Sequence, residues 1–524
     1  MTTTTEVRLF AHRQGALRTG LAEQPQVDAA APTTATLPPA AARGARGRPL
    51  PVGTHRLLAQ ARYPLPLPAA AVEALEPGEL VGHLLVAAVG LQRREPSNRF
   101  NDHRSIASVR SKFPVHVVVL APDGSCGYLD LYRHALVDLA GPADGADLPG
   151  LPALPDLAGL LPAPGDLTVV LAARTTDLPA LYGRLRCALG LLELGINLRA
   201  LHVAADLLGV RARLRSDPAV SAAAGRLLAG SGPGTWSPPL VLTLEGAGPL
   251  PASRPLPGAA EADPRQHEEE DALLRQDAGD PLILEAAQVT APLAELAWPE
   301  AEPVRGVPEL PKRPAADGEV GRPDWSRTLW NRSAGRVPAV VSGFSARPAT
   351  LGEECLADLL GWLAQPAPGP LAEIGRQVRT TVALQRVAGL PTGHYTLVDG
   401  QLDAGRPAPR LMQRLQDAFG YPLTPVTDCG LRHANAMWVF SADLDAILDA
   451  CGPAGWSLLQ LWCGWASHGL ATAAAAHGLF ARPARSFDEY WLQRELELPR
   501  EVLPVFTVIC GRSRFTEPAL DLRV

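Results

Sequence analysis

Lysine is almost absent from this chain: among 48 lysine and arginine residues, only Lys112 and Lys312 are lysine. Against 54 acidic residues the formal net charge is −6, which gives no reason to expect nucleic acid as a partner. Cysteine is scarce and scattered (Cys126, Cys187, Cys355, Cys429, Cys451, Cys463, Cys510) and forms no CxxC pair. An odd, dispersed set excludes a disulfide framework or a zinc site and fits a reducing cytoplasm. The N-terminus MTTTTEVRLF lacks a basic stretch followed by an apolar core, so no secretory signal is expected. Apolar runs such as LLGWLA are broken by Gly, Pro or charge before membrane-spanning length, so no membrane segment is expected either.

What is present is length and proline. A chain of 524 residues, 52 of them proline, exceeds what one hydrophobic core usually supports. Residues 29–51 read as a flexible connector, rich in Pro and small residues that cannot bury enough surface to fold alone. A second Pro-rich region, with an acidic HEEED patch, contains DALLRQDAGDPLILEAAQV, expected as a short helix and a strand. These connectors divide the chain into an N-terminal extension with linker at 1–54, a block at 55–250, a linker or extended arm at 251–323, and a block at 324–524.

The two blocks look like copies. LELGINLRALHVAADLLGV in the first aligns with LWCGWASHGLATAAAAHGL in the second, pairing Gly195 with Gly464, Leu201 with Leu470, Ala204 with Ala473 and Gly209 with Gly478 at a constant offset of 269. Both stretches are long, apolar on most faces and rich in small residues, which predicts two buried core helices. Apolar runs precede them (VHVVVLAPDG, HANAMWVFSADL) and follow them (SPPLVLTL, LPVFTVICG), predicting an α+β sheet around a long helix, repeated twice.

The chemistry concentrates in arginines. WNRSAGR, at the start of the second block, carries Arg332, Ser333 and Arg336; CGRSR, after its last apolar run, carries Arg512 and Arg514. Nothing near WNRSAGR looks like a P-loop. Two such clusters suit a phosphate monoester, which needs charge-assisted, multidentate partners, provided that the ends of the block meet.

The intervening segment resembles the end of a nitroreductase-fold flavoprotein domain. It holds an Ala-rich helix ending His477-Gly478-Leu479, a turn Pro483-Ala484-Arg485-Ser486-Phe487-Asp488, and Leu496-Glu497-Leu498-Pro499 before the last strand. In that family an Arg-x-Ser-x-basic motif holds the phosphate of FMN, and WNRSAGR resembles a variant of it. The resemblance places Arg485-Ser486 where the backbone approaches flavin N5. In the first block, SIASVRSKFPVHVVVL and CGYLDLYRHAL resemble the flavin-covering region of SagB-type dehydrogenases. Ser108, Lys112 and Pro114 fall on that branch's positions, within a cover that includes Arg110 and Ser111; Ala107 and Arg110 replace its Pro and Gly. LYGRLRCALGLLELGINL resembles its Lys-Tyr-Gly…Glu-x-Gly-His segment, keeping Tyr182 and Gly183 but with Leu181 for the lysine.

The resemblance implies tandem nitroreductase-like domains forming an intramolecular pseudo-dimer, with one composite FMN site. Block two would supply the phosphate and N5 edge, and SVRSKFP of block one would cover the ring. It implies an FMN-dependent azoline dehydrogenase of thiopeptide-like biosynthesis, acting on an azoline-containing precursor peptide alongside cyclodehydratase components. Tyr182 and then Lys112 are the candidate bases. An NAD(P)H-dependent nitro- or quinone reductase of the same fold, and a non-catalytic scaffold, remain open.

Overall fold

The computed structural model describes residues 2–15, 38–96, 102–139, 154–215, 217–257, 264–297, 303–310, 322–335, 346–417, 419, 430–516 and 518–524. Strand β1 (Arg46–Pro49) is followed by β2 (Leu91–Arg94) and β3 (Asp102–Arg104). Next come β4 (Val115–Leu120), β5 (Cys126–Asp130), β6 (Ala135–Asp138), β7 (Leu167–Ala173), β8 (Arg211–Arg215), β9 (Leu240–Glu245) and β10 (Arg254–Pro255). All but β2 and β3 form a sheet in the order β10-β1-β6-β5-β4-β7-β9-β8. A second sheet uses β11 (Arg379–Leu384), β12 (Gly393–Val398), β13 (Gln401–Leu402), β14 (Arg406–Pro407), β15 (Ala436–Asp443), β16 (Phe480–Ala484) and β17 (Val502–Gly511). Its order is β13-β12-β11-β15-β17-β16, with β14 beside β12.

The orders β5-β4-β7-β9-β8 and β12-β11-β15-β17-β16 match strand for strand. The offset of 269 read from the helices also relates the starts of β7 and β15 and both ends of β8 and β16. One sequence pairing is corrected by this register: HANAMWVF feeds β15, whose counterpart is β7, not the VHVVVL strand β4. Both runs are short and apolar, and such runs carry no register of their own.

Helix α1 (Thr4–Gly15) opens the chain, and the long helices are α2 (Leu185–Leu207) and, further on, Gly455–Ala476. Every residue of the second is buried, as is every residue of α2 except Asp206. They cross at the two aligned glycines: a Cβ on Gly195 would collide with the Leu461 carbonyl, and one on Gly464 with that of Leu192. Both helices end in the same cap. Gly209 (φ +69°) and Gly478 (φ +66°) turn left-handed, and Val210 N–H and Leu479 N–H bond back to Ala205 and Ala474 at 2.9 Å each.

By length and composition α2 could cross a membrane, contrary to the expectation that no run reaches that length. It is enclosed by protein except at Asp206, and several of its polar groups find partners there. Asn197 Nδ2 donates to the Glu193 carbonyl at 2.8 Å, and His202 Nδ1 meets the Leu198 carbonyl at 2.9 Å. Arg199 donates to the carbonyls of Trp362 (2.8 Å) and Trp465 (3.2 Å). Such bonds offset much of the cost of burying these groups.

The connectors are more structured than their composition suggests. Residues 46–49 of the N-terminal connector form β1, and DALLRQDAGDPLILEAAQV is helical throughout its described ends rather than helix and strand. It carries α3 (Pro264–Ala278) and α4 (Pro281–Thr290). Pro281 sits in the first turn, and the Asp280 carboxylate accepts from Leu282 N–H at 2.8 Å, so a capped helix starts where a strand was expected. Arg186 of α2, fully buried, pairs with Asp277 (2.7 Å) and Asp280 (3.0 Å) and pins this arm to the core. Helix α1 docks on the second half, where Phe10 meets Trp456 edge-on at 5.5 Å. At the other terminus β18 (Leu520–Asp521) pairs with β2, in the order β18-β2-β3.

Candidate active site

Three places hold the residues singled out in the sequence. The first is the start of β16. Residues 332–335 follow α5 (Trp325–Asn331) and run beside that strand: Ala481 N–H donates to the Ser333 carbonyl and Arg482 Nε to that of Ala334, each at 2.9 Å. Ser333 Oγ accepts from Gly335 N–H at 3.1 Å, and Gly335 (φ +63°) lies so close to the Phe480 ring that a Cβ would strike it. Gly511 pairs with Phe480 from the other side. WNRSAG and CGRSR therefore both approach the Phe480 ring, although the sequence separates them by the whole block. Arg512 is half-buried, with Nη1 3.6 Å from where a Cβ on Gly478 would be; Arg514 is exposed. Arg336 lies outside the described residues.

Arg332 is only 5% exposed and reaches across to the first half. Its Nε and Nη2 donate to the Arg104 carbonyl at 3.0 and 2.8 Å. Arg93 returns the contact, donating to the carbonyls of Trp330 and Arg332.

The second place is the far end of β16. At ~3.3 Å per residue, Arg485 lies roughly 16 Å along the strand from Phe480. Burial lowers the Arg485 pKa, while the nearby Glu489 opposes that shift. Its Nη1 lies 3.5 Å from Gln460 Oε1, and its Nη2 lies 3.9 Å from Glu489 Oε1. Burial raises the Glu489 pKa, against the opposing pull of Arg485. These side chains line a cavity of about 490 Å³, walled on one side by Trp456, Leu459 and Gln460 and on another by Ala11 and His12 of α1. Ser486 follows Arg485, partly buried.

The third place is the cover segment of the first half. Arg110 (φ 51°), Ser111 (φ 53°) and Phe113 (φ 49°) all adopt left-handed backbone. The resemblance expects glycine at position 110, and this geometry is what glycine would accommodate without strain. Arg110 Nε donates to Tyr182 Oη at 3.1 Å, with its guanidinium 5.6 Å from the ring centroid. Because arginine only donates, the phenol oxygen accepts and its own hydrogen points elsewhere. Lys112 is half-buried; desolvation lowers its pKa, Asp177 opposes this, and Arg110 adds to it. Ser108 Oγ donates to Glu193 Oε1 at 3.0 Å, Val109 N–H donates to the same oxygen at 2.8 Å, and Phe113 N–H donates to Ser108 Oγ at 2.7 Å.

Ser108, Arg110 and Tyr182 are thus gathered into one cluster, and the backbone just ahead of it, at Arg104, receives Arg332. Glu193, His12 and Gln460 were missed as site residues. Glu193 had a visible signal, a carboxylate in the middle of an apolar helix; the other two are brought in by long-range packing alone.

The halves differ where they correspond. At 269 positions from Glu193 stands Trp462, packed on Gly375 of α6 (Leu371–Gln377) instead of holding a loop. At 269 positions before Arg332, after the short helix Thr54–Leu58, stands Tyr63. It is 1% exposed, and its phenol oxygen accepts from Trp362 Nε1 at 2.6 Å.

Among solved structures, the chain is similar to a protein of Anabaena variabilis described as a nitroreductase. The likeness has 16% identity and a TM-score of 0.58, and spans 98% of this chain and 100% of that one. A protein of Ralstonia eutropha described likewise (18% identity, TM-score 0.28) matches 40% of this chain and 90% of its own. A chain of the E. coli microcin synthetase McbBCD complex (14% identity, TM-score 0.28) matches 40% of this chain and 79% of its own. No family model and no curated protein matches the sequence. The full-length likeness establishes a nitroreductase-type fold.

Proposed function

We propose that this chain is an FMN-dependent dehydrogenase that oxidises thiazoline or oxazoline rings in a ribosomally made peptide to thiazoles or oxazoles. On this reading residues 55–250 and 324–524 are nitroreductase-like halves of an intramolecular pseudo-dimer sharing one composite site. The observation that carries it is the cluster of Ser108, Arg110 and Tyr182 in one half, with Arg332 of the other half bound to the backbone that leads into it.

The residues present fit FMN. Ser333 and the left-handed Gly335 form a tight turn at Phe480, the residue that pairs with Gly511 just before Arg512, a set suited to a phosphate dianion. Ser333, Arg512 and Arg336 would hold the phosphate, with Arg514 at its rim, and Arg332 would join the halves beside it. The backbone at Arg485-Ser486 would meet the edge of the ring, and Ser108, Arg110 and Ser111 would cover its face. When bound, FMN supplies hydride-acceptor chemistry.

Aromatising an azoline removes one hydride and one proton from the ring and leaves a new double bond. As the phenolate, with the Arg110 guanidinium beside it, Tyr182 would receive the proton at its phenol oxygen and become the neutral phenol. Lys112 is the second candidate; burial favours its neutral form, which is the form a proton acceptor needs. The cavity at Arg485, closed on one side by α1, would admit the peptide segment that carries the ring. Cyclodehydratase components in the same cytoplasm would supply that substrate.

The test is direct. Purified protein should be yellow and release FMN on denaturation, and an azoline peptide should lose two hydrogens of mass per ring. Oxidation of NADPH with a quinone, and no change in the peptide, would favour a reductase; colourless protein that binds peptide without changing it would favour a scaffold.

A further inference from the structure

We infer that Glu193 is a positioning residue: its buried carboxyl group braces the cover loop and so holds Arg110 against Tyr182. The function of the brace rests on the dehydrogenase reading; the brace itself does not. Three non-glycine residues within four positions, Arg110, Ser111 and Phe113, have left-handed backbone, which a side chain with a Cβ disfavours. Such conformations persist only where the surroundings over-determine them. Here one oxygen does much of that: Glu193 Oε1 accepts from Ser108 Oγ and Val109 N–H, and Ser108 Oγ accepts from Phe113 N–H. Both ends of the turn are therefore tied to one point on the rigid core helix α2.

Glu193 is 2% exposed, and its Oε2 is buried with no hydrogen-bond partner. Burial pushes its pKa up to about 8, against the hydrogen bonds from Val109 and Ser108. At neutral pH the brace is thus largely a neutral carboxyl group, whose carbonyl oxygen glutamine reproduces. The second half has Trp462 at the corresponding position, packed against Gly375 of α6, so the two positions are equipped differently.

The test compares Glu193→Gln, Glu193→Leu and Ser108→Ala with the wild type. Cleavage by trypsin after Arg110 or Lys112, mapped by mass, reads the loop without flavin or substrate. Wild type and Glu193→Gln should resist, whereas Glu193→Leu and Ser108→Ala should be cut. With flavin content unchanged, Glu193→Leu should lower kcat by roughly 10- to 100-fold, with a smaller effect on KM and recovery in Glu193→Gln. Should Glu193→Leu fail to fold, Ser108→Ala tests the same link. A loop as resistant in Glu193→Leu and Ser108→Ala as in the wild type would overturn the brace. If the wild type neither holds flavin nor oxidises azolines, the dehydrogenase reading fails, while proteolysis still decides the brace.

Discussion

Arg332 places Nε and Nη2 on the carbonyl oxygen of Arg104, at 3.0 and 2.8 Å, joining the start of the second half to the backbone ahead of the cover loop of the first. A lysine cannot copy this fork, because its ammonium is a single point of charge. Arg332→Lys should therefore weaken FMN retention, and Arg332→Ala with Arg512→Ala should abolish most of it. A lost charge-assisted bond from Arg512 to the phosphate is worth about 1.5–3 kcal/mol, or roughly 10- to 100-fold in FMN Kd, and loss of Arg332 acts on the same site through the joint beside it. Flavin absorbance after gel filtration reads the effect; unchanged flavin in the double variant would refute the phosphate assignment.

Tyr182→Phe removes the phenol oxygen that accepts from Arg110 and leaves the ring in place. Turnover should fall by about 10²- to 10⁴-fold with flavin content unchanged, the range expected for losing a general base. Lys112→Met should have the smaller effect of the two. The reverse order, measured in single-turnover assays, would make Lys112 the base.

The raised pKa of Glu193 makes a stability prediction whose sign is fixed. A carboxyl group shifted from 4.5 to about 8 binds its proton more tightly when folded, so its contribution is complete below the unfolded value and is lost as pH rises through the folded one. Stability should therefore decline between about pH 4.5 and 8 for this group, and Glu193→Gln should flatten that decline. Arg104 is the charged group whose field opposes the shift. Calorimetric Tm against pH for the two proteins is the measurement; parallel curves would contradict the prediction.

Arg199, fully buried in α2, has its guanidinium carbon 5.0 Å from the ring centroids of both Trp362 and Trp465 in the other half. Burial lowers its pKa to about 9. Arg199→Ala removes these contacts and leaves a void, so a loss of roughly 2–5 kcal/mol is expected. Arg199→Met should cost less, since it fills part of the space without a buried charge. Urea unfolding monitored by tryptophan fluorescence compares them.

The long helices and their relation were legible because glycine has a geometric role at both marked places: close crossing at Gly195 and Gly464, and left-handed caps at Gly209 and Gly478. Strand identity was less legible, since VHVVVL and HANAMWVF are both buried and carry no face to register. Helix α4 was missed as a helix because its apolar run is short, although Asp280-Pro281 held the start signal. The inter-half contact of Arg332, the pairing of Arg186 with Asp277 and Asp280, and the wall that α1 adds to the Arg485 cavity depend on packing between distant segments, which no local pattern encodes.

The stoichiometry of released FMN per chain tests the central claim most directly. Sequence and structure give the halves different equipment, with Arg332 against Tyr63 at one position and Glu193 against Trp462 at another. One FMN per chain is therefore predicted, with its loss in the Arg332→Ala, Arg512→Ala variant. Two FMN per chain, or none, would contradict the single composite site.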